Sequence, residues 1–243
     1  MQIIYETNDF LAINKSAGVL VHPGRPGESE EGTVVGWLRE KYPEIKGIGD
    51  EPEFRPGIVH RLDKDTSGIL LIAKNQLSFE HLKHLFQTRG IEKTYLALVY
   101  GKVMGKGKID KPIGIQSGSV KRSVNAKNMK MVKEAVTEYR AVKLFRKGLF
   151  TLLRVSPKTG KTHQIRVHLA SIGHPIVGDE LYGKKKEETF GLTRQFLHAE
   201  SIEFTAPDGS RVHLEAELPS DLEGALERAG RKEENETVIE YGG

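Results

Sequence analysis

The residues best suited to chemistry lie in one run, His60-Arg61-Leu62-Asp63-Lys64-Asp65-Thr66-Ser67-Gly68. It falls between two strand-like stretches, residues 54–59 and residues 69–73, the second rich in apolar β-branched side chains. Asp63 is therefore expected on a loop held at both ends. Such a mount fixes geometry and leaves a carboxylate reachable, as a nucleophile or a base requires. The plainer alternative is a turn that Asp63 caps and that Thr66, Ser67 and Gly68 complete. Arg61 beside it, and a second basic element downstream, favour the chemical reading.

Other candidates are weaker. His81 and His84 sit at helical spacing, but no third metal ligand accompanies them, so solvent-facing histidines are expected. Cysteine is absent, which rules out disulfides and thiolate metal sites and fits a reducing, cytoplasmic setting. No metal and no organic cofactor is expected. No run of eighteen apolar residues exists to span a membrane, and the first residues show no signal-peptide core. A monomer is expected.

The net charge is only +4, but its distribution is uneven. Between residues 101 and 133 lie Lys102, Lys106, Lys108, Lys111, Lys121, Arg122, Lys127, Lys130 and Lys133, with Asp110 as the only acid. From Glu215 onward acids dominate. The basic stretch can meet a polyanion through counterion release, or it is a solvated lysine-rich connection.

The elements that must position these groups follow in order. Two short strands start at Ile3 and Leu11, with a turn at Asn8-Asp9. Thr33 caps a helix carrying Val34, Trp37, Leu38 and Tyr42, and Pro43 stops it. Asn75 caps a second helix with Phe79, Leu82, Leu85 and Phe86 on one face, ended by Arg89-Gly90. Residues 93–101 read as a strand. Residues 136–145 and 149–155 form a hairpin, with Gly148 in its turn. Residues 157–162 lead into a helix whose buried stripe is Ile165, Leu169 and Ile172, with Arg166 at its edge and Gly173 at its end. Lys184-Lys185-Lys186 reads as a solvated loop. Residues 201–217 form a last hairpin about Pro207-Asp208-Gly209, and residues 221–229 a short helix. The fold class is α+β with a largely antiparallel sheet. The expectation is a single domain over residues 1–230, with a charged, frayed tail over 231–243. There is no internal repeat and no Gly-rich nucleotide loop.

Taken in order, several blocks of this sequence resemble the RluA-type pseudouridine synthases. They are Asn14-Lys15-Ser16-Ala17-Gly18 with His22-Pro23, His60-Arg61-Leu62-Asp63 with Thr66-Ser67-Gly68, and Lys93-Thr94-Tyr95-Leu96-Ala97. Residues 159–168, His174-Pro175-Ile176-Val177-Gly178-Asp179 and Leu197-His198-Ala199 complete the set. The resemblance spans roughly residues 8 to 219. It implies a core with a central active-site cleft that isomerises uridine in structured RNA, ribosomal or transfer. It makes Asp63 the essential carboxylate, attacking sugar or base or removing a sugar proton. Tyr95 matches the tyrosine that lies against the target base and takes part in proton removal at C5. Arg166 matches the arginine that pairs with the carboxylate. RNA contacts are expected from His60, Arg61, Thr66, Lys121, Arg122, His163, Gln164 and Ile165, with Arg61 occupying the vacated stack or holding a phosphate. Many relatives carry an S4-type domain before the core. This chain starts almost at the core, so target selection is expected to rest on the core or on another factor.

The roles make physical sense. A nearby guanidinium favours an ionised carboxylate and orients it. A tyrosine offers a flat apolar face and one polar tip. Extruding a uridine costs a few kcal/mol. Two other enzyme classes fit less well. A haloacid-dehalogenase-type phosphatase needs an apolar strand running straight into its Asp, and His60 and Arg61 stand there instead. A kinase loop needs a Gly-rich loop and Asp-Phe-Gly, and neither is present. The remaining rival is an idle RNA-binding or assembly factor of the same fold. The intact set of Asp63, Tyr95 and Arg166 argues against it.

Overall fold

The computed structural model describes residues 1–116, 121–124, 129–183 and 188–231. Lys127, the Lys184-Lys185-Lys186 loop and all of the expected tail beyond Arg231 lie outside the described residues. In chain order the first elements are β1 (Gln2–Glu6), β2 (Phe10–Lys15), α1 (Val34–Lys41), β3 (Ser67–Ala73) and α2 (Gln76–Thr88). Then come β4 (Glu92–Tyr100), β5 (Lys106–Asp110), β6 (Ile113–Gln116), β7 (Arg122–Ser123) and β8 (Met129–Lys133). The chain continues through β9 (Val136–Phe145), β10 (Phe150–Pro157), α3 (Gln164–Ser171), β11 (Leu197–Thr205), β12 (Arg211–Glu215) and α4 (Ser220–Gly230). No described helix is long and apolar enough to cross a membrane.

Two compact units result. One is residues 1–93 with 199–217, the other residues 94–198 with those from 218 on. In the first, β1 pairs antiparallel with β2, β2 with β3, and β11 with β12, and β3 neighbours β11. Every residue of β3 is buried, so this strand reads as one apolar run rather than an alternation. Gly68 in it has φ +114°, and a Cβ there would run into the backbone of Ala199. That close approach of two strands requires glycine.

The helix caps are those expected. Thr33 accepts from Gly36 N at 3.1 Å, and Asn75 from Ser78 N at 2.8 Å. Two local readings change, at residues 54–59 and at His81. Residues 54–59 form turns, not a strand. Pro56 has no donor, Gly57 turns at φ +69°, and only the Ile58–Ile72 bridge remains. At the end of α2 it is Arg89, at φ +62°, that takes the left-handed conformation. The helix thus ends at Arg89-Gly90 as expected. His81 is also not solvent-facing: its Nε2–H donates to the Thr205 carbonyl at 2.8 Å, whereas His84 is exposed.

In the second unit the strand order is β4-β10-β9-β5, all antiparallel, with a separate three-stranded sheet ordered β7-β6-β8. Strands β5 to β8 arise from the basic stretch, where the sequence showed only charge. Between β9 and β10, Arg146, Lys147 and Gly148 all have positive φ. The core joins Ala97, Leu153, Val155, Ile165, Leu169 and Leu222, and so packs α3 and α4 with β4 and β10.

Candidate active site

In the first unit three ties hold the loop that bears Asp63. Thr66 N donates to Asp63 O at 3.1 Å, closing a turn over residues 63–66. Lys15, fully buried, points its ammonium at three carbonyls, Ser16 at 2.8 Å, Val19 at 2.9 Å and Lys64 at 2.9 Å. A buried ammonium needs all three of its donors used, and the last one fixes the peptide next to Asp63. His60 Nε2 accepts from Leu71 N of β3 at 2.8 Å, and its ring stacks on Phe86 at 4.6 Å. Because Nε2 accepts, the ring is neutral. Burial, with the Lys93 ammonium second, pushes its pKa down to about 3. His60 thus serves the scaffold. Leu62 is buried beneath the loop while Asp63 stays half-buried.

Arg61 is exposed, and its Nη1 donates to His22 Nε2 at 3.1 Å. His22 donates from Nδ1 to Pro23 O at 2.7 Å and packs edge-on against Phe54 at 5.1 Å. Burial is the main reason its pKa lies below the ordinary histidine value. Thr66 is buried at the start of β3.

In the second unit Tyr95 lies on β4 opposite Val155, half-buried against the core. Arg166 is not at the edge of a stripe: it is buried, and its guanidinium grips Asp179 twice, Nε to Oδ2 at 2.7 Å and Nη2 to Oδ1 at 2.9 Å. Asp179 Oδ1 also accepts from Leu181 N and Tyr182 N, at 2.9 Å and 3.0 Å. The Arg166 guanidinium lies 5.4 Å from the Tyr182 ring centre. The Tyr182 hydroxyl accepts from Arg122 N at 2.9 Å and bonds His163 Nδ1 at 3.1 Å. His163 has φ +57°, a conformation uncommon for a side-chain-bearing residue. The structure therefore brings Arg122, His163 and Arg166 together through Asp179 and Tyr182, two residues given no role from the sequence. The His174–Asp179 block was visible there, but nothing in it said what its carboxylate would meet.

Gln164 is buried with its amide fully used. Its oxygen accepts from Thr159 and Lys161 N, and its nitrogen donates to Val136 O and Thr137. Ile165 is core. Both hold α3 in place. Lys121 is exposed and Arg122 half-buried. No cluster of three metal-ligating side chains is found among the described residues.

The family model described as RNA pseudouridylate synthase matches residues 9–171. Ribosomal large subunit pseudouridine synthase D of Yersinia pestis is 41% identical, over 91% of this chain and 68% of its own. The protein of the same name from Nitrosomonas europaea is 38% identical, over 93% of this chain and 64% of its own. The chain thus spans about two thirds of the length of the curated relatives it matches. Among solved structures, human RNA pseudouridylate synthase domain containing 1 superposes with a TM-score of 0.72 at 26% identity, covering 90% of this chain and 83% of that one. The matches in sequence and in fold agree: the chain belongs to the RNA pseudouridylate synthase family, whose members are isomerases.

Proposed function

We propose that the chain converts uridine to pseudouridine in ribosomal RNA, with Asp63 as the essential carboxylate. The observation that carries this is the mounting of Asp63: the loop is tied by Lys15, His60 and Thr66, yet the residue is only half-buried. A carboxylate on a loop held through its backbone, and itself only half-buried, suits a positioned catalytic group. Ribosomal RNA as substrate follows the names of the relatives.

In the reaction the N1–C1′ bond breaks, the uracil turns, and C5 bonds to C1′. The hydrogen on C5 leaves and N1 takes up a proton, so atoms balance without a redox partner. Tyr95 lies against the base and handles the C5 proton. Arg166 acts on the carboxylate's charge, with its own fork fixed by Asp179. Arg61, exposed and steered by His22, takes the vacated stack or a phosphate. The test is tritium release from RNA labelled at uracil C5, for the parent and for Asp63→Asn. Release by the variant near the parent rate would move the role off Asp63. No release by the parent on any cellular RNA fraction would favour the idle RNA-binding relative.

A further inference from the structure

Several parts of the second unit meet at Tyr182. It rides on the turn of residues 179–183, closed by Gly183 N donating to Asp179 O at 2.8 Å. The Asp179 carboxylate that grips Arg166 stands on the same turn and accepts from Tyr182 N at 3.0 Å. The Tyr182 ring lies 5.4 Å from the Arg166 guanidinium and packs against the cluster of Ile113, Ala135 and Val167. Its hydroxyl accepts from Arg122 N of β7 at 2.9 Å and bonds Nδ1 of His163, the residue that precedes α3, at 3.1 Å.

Packing asks only for the ring, and phenylalanine would supply it. The hydroxyl is therefore the telling group. Strand β7 has two residues, pairs with β6 and ends the strand order of its sheet. So short a strand makes few ladder bonds, and a bond from its backbone to a side chain outside the sheet weighs heavily in its placement. Arg122 N and His163 hold the hydroxyl, and the hydroxyl fixes the ring. The ring and Asp179 together confine the guanidinium. A planar fork acts only in the right orientation, so small tilts matter.

We propose that Tyr182 is a positioning residue for Arg166, and that its hydroxyl couples the placement of β7 to turnover. It rests on the reading above, in which Arg166 acts on the Asp63 carboxylate and Arg122 is a candidate phosphate contact. It adds a physical path from the strand that meets RNA to the arginine that serves the chemistry.

Tyr182→Phe keeps the ring and the Tyr182 N bond to Asp179, and loses both hydroxyl bonds. Tritium release is read at saturating in vitro transcribed large-subunit ribosomal RNA labelled at uracil C5, with RNA affinity and the urea midpoint beside it. Turnover should fall about tenfold, the effect of one positioning hydrogen bond, with affinity held. A lower urea midpoint with parent-like turnover would make the hydroxyl merely structural and overturns the proposal. Arg122→Pro removes the same bond from the other side, while Arg122→Ala keeps the N–H. Arg122→Pro should lose turnover and Arg122→Ala should not. Tyr182→Phe with Arg122→Pro should lose no more than Tyr182→Phe alone, because both cut one bond; additive losses overturn the coupling. The Arg166 Nε–H proton is also followed by NMR in the chain without RNA, with isotope-labelled arginine. Its exchange with water should quicken in Tyr182→Phe and Arg122→Pro but not in Arg122→Ala. Parent-like exchange in the first two overturns the tie whether or not tritium is released. No release by the parent sinks the enzymatic reading, while the exchange comparison still decides the tie.

Discussion

Arg166 and Asp179 face each other as fork and carboxylate, joined at 2.7 Å and 2.9 Å and both buried. Two further backbone donors complete the Asp179 carboxylate. Taking both charges out of water is costly, and such a pair holds only while its geometry and extra hydrogen bonds persist. The arrangement therefore fixes the orientation of Arg166.

Asp179→Asn should accordingly cost about 3–5 kcal/mol of stability, because a buried guanidinium loses its counter-charge. The urea midpoint reads this directly. Arg166→Lys keeps the charge and loses the fork. Turnover should then fall far more than RNA affinity. Parallel losses in both would make Arg166 a substrate anchor instead.

His60 gives a pH signature. Its folded pKa is about 3, against 6.5 for the free side chain. Below pH 6.5 the unfolded chain takes up a proton that the folded ring refuses. The stabilising contribution is therefore complete above pH 6.5 and is lost as pH falls towards 3. The steepest loss from this residue is about 1.4 kcal/mol per pH unit. His22 and His168 are shifted the same way, chiefly by burial, and add to the trend. His60→Gln keeps an acceptor for Leu71 N but does not titrate. Urea midpoints at steps from pH 6.5 to 4.5 should fall less steeply for it than for the parent. Equal slopes would show that His60 is not the titrating group.

These positions also show what a sequence can reveal. Thr33, Asn75 and the turn Asp208-Gly209 were legible because caps and turns are decided within a few residues. The loop that carries Asp63 was legible because its flanking block is distinctive. Residues 54–59 were misread because their apolar content looks like a strand, while Pro56 and Gly57 make turns of it. Strands β5 to β8 were hidden by lysines that suit an edge as well as a loop. Lys64 lies 49 residues from Lys15, His22 39 from Arg61 and Asp179 13 from Arg166, and no local pattern predicts such pairings.

Lys121 and Arg122 are candidate phosphate contacts in our reading. Arg122 meets Tyr182 through its backbone N–H, which alanine retains. The double change to Ala should therefore leave that tie in place while removing both charges. Binding to the same ribosomal RNA should show a flatter salt dependence, by up to about 1.8 in slope if both side chains contact phosphates. An unchanged slope would place the RNA elsewhere on the surface.

Asp63→Asn separates enzyme from binding module. The side chains are nearly the same size. Three ties that shape the loop, Thr66 N to the Asp63 carbonyl, Lys15 to the Lys64 carbonyl and His60 to Leu71 N, do not use the Asp63 side chain and persist in the variant. The loop should keep its form, so the urea midpoint should move by no more than about 1 kcal/mol in stability. The amide is a poor nucleophile and a poor base, so the step that needs a carboxylate is lost. The candidate phosphate contacts at Lys121 and Arg122 lie away from that loop in the chain, so RNA affinity should hold or rise slightly as one repulsive charge disappears. The expected outcome is parent-like binding with no tritium released from C5-labelled RNA. Retained release would remove Asp63 from the chemistry. Lost binding alongside lost release would make Asp63 part of the fold or of the RNA contact rather than the reacting group.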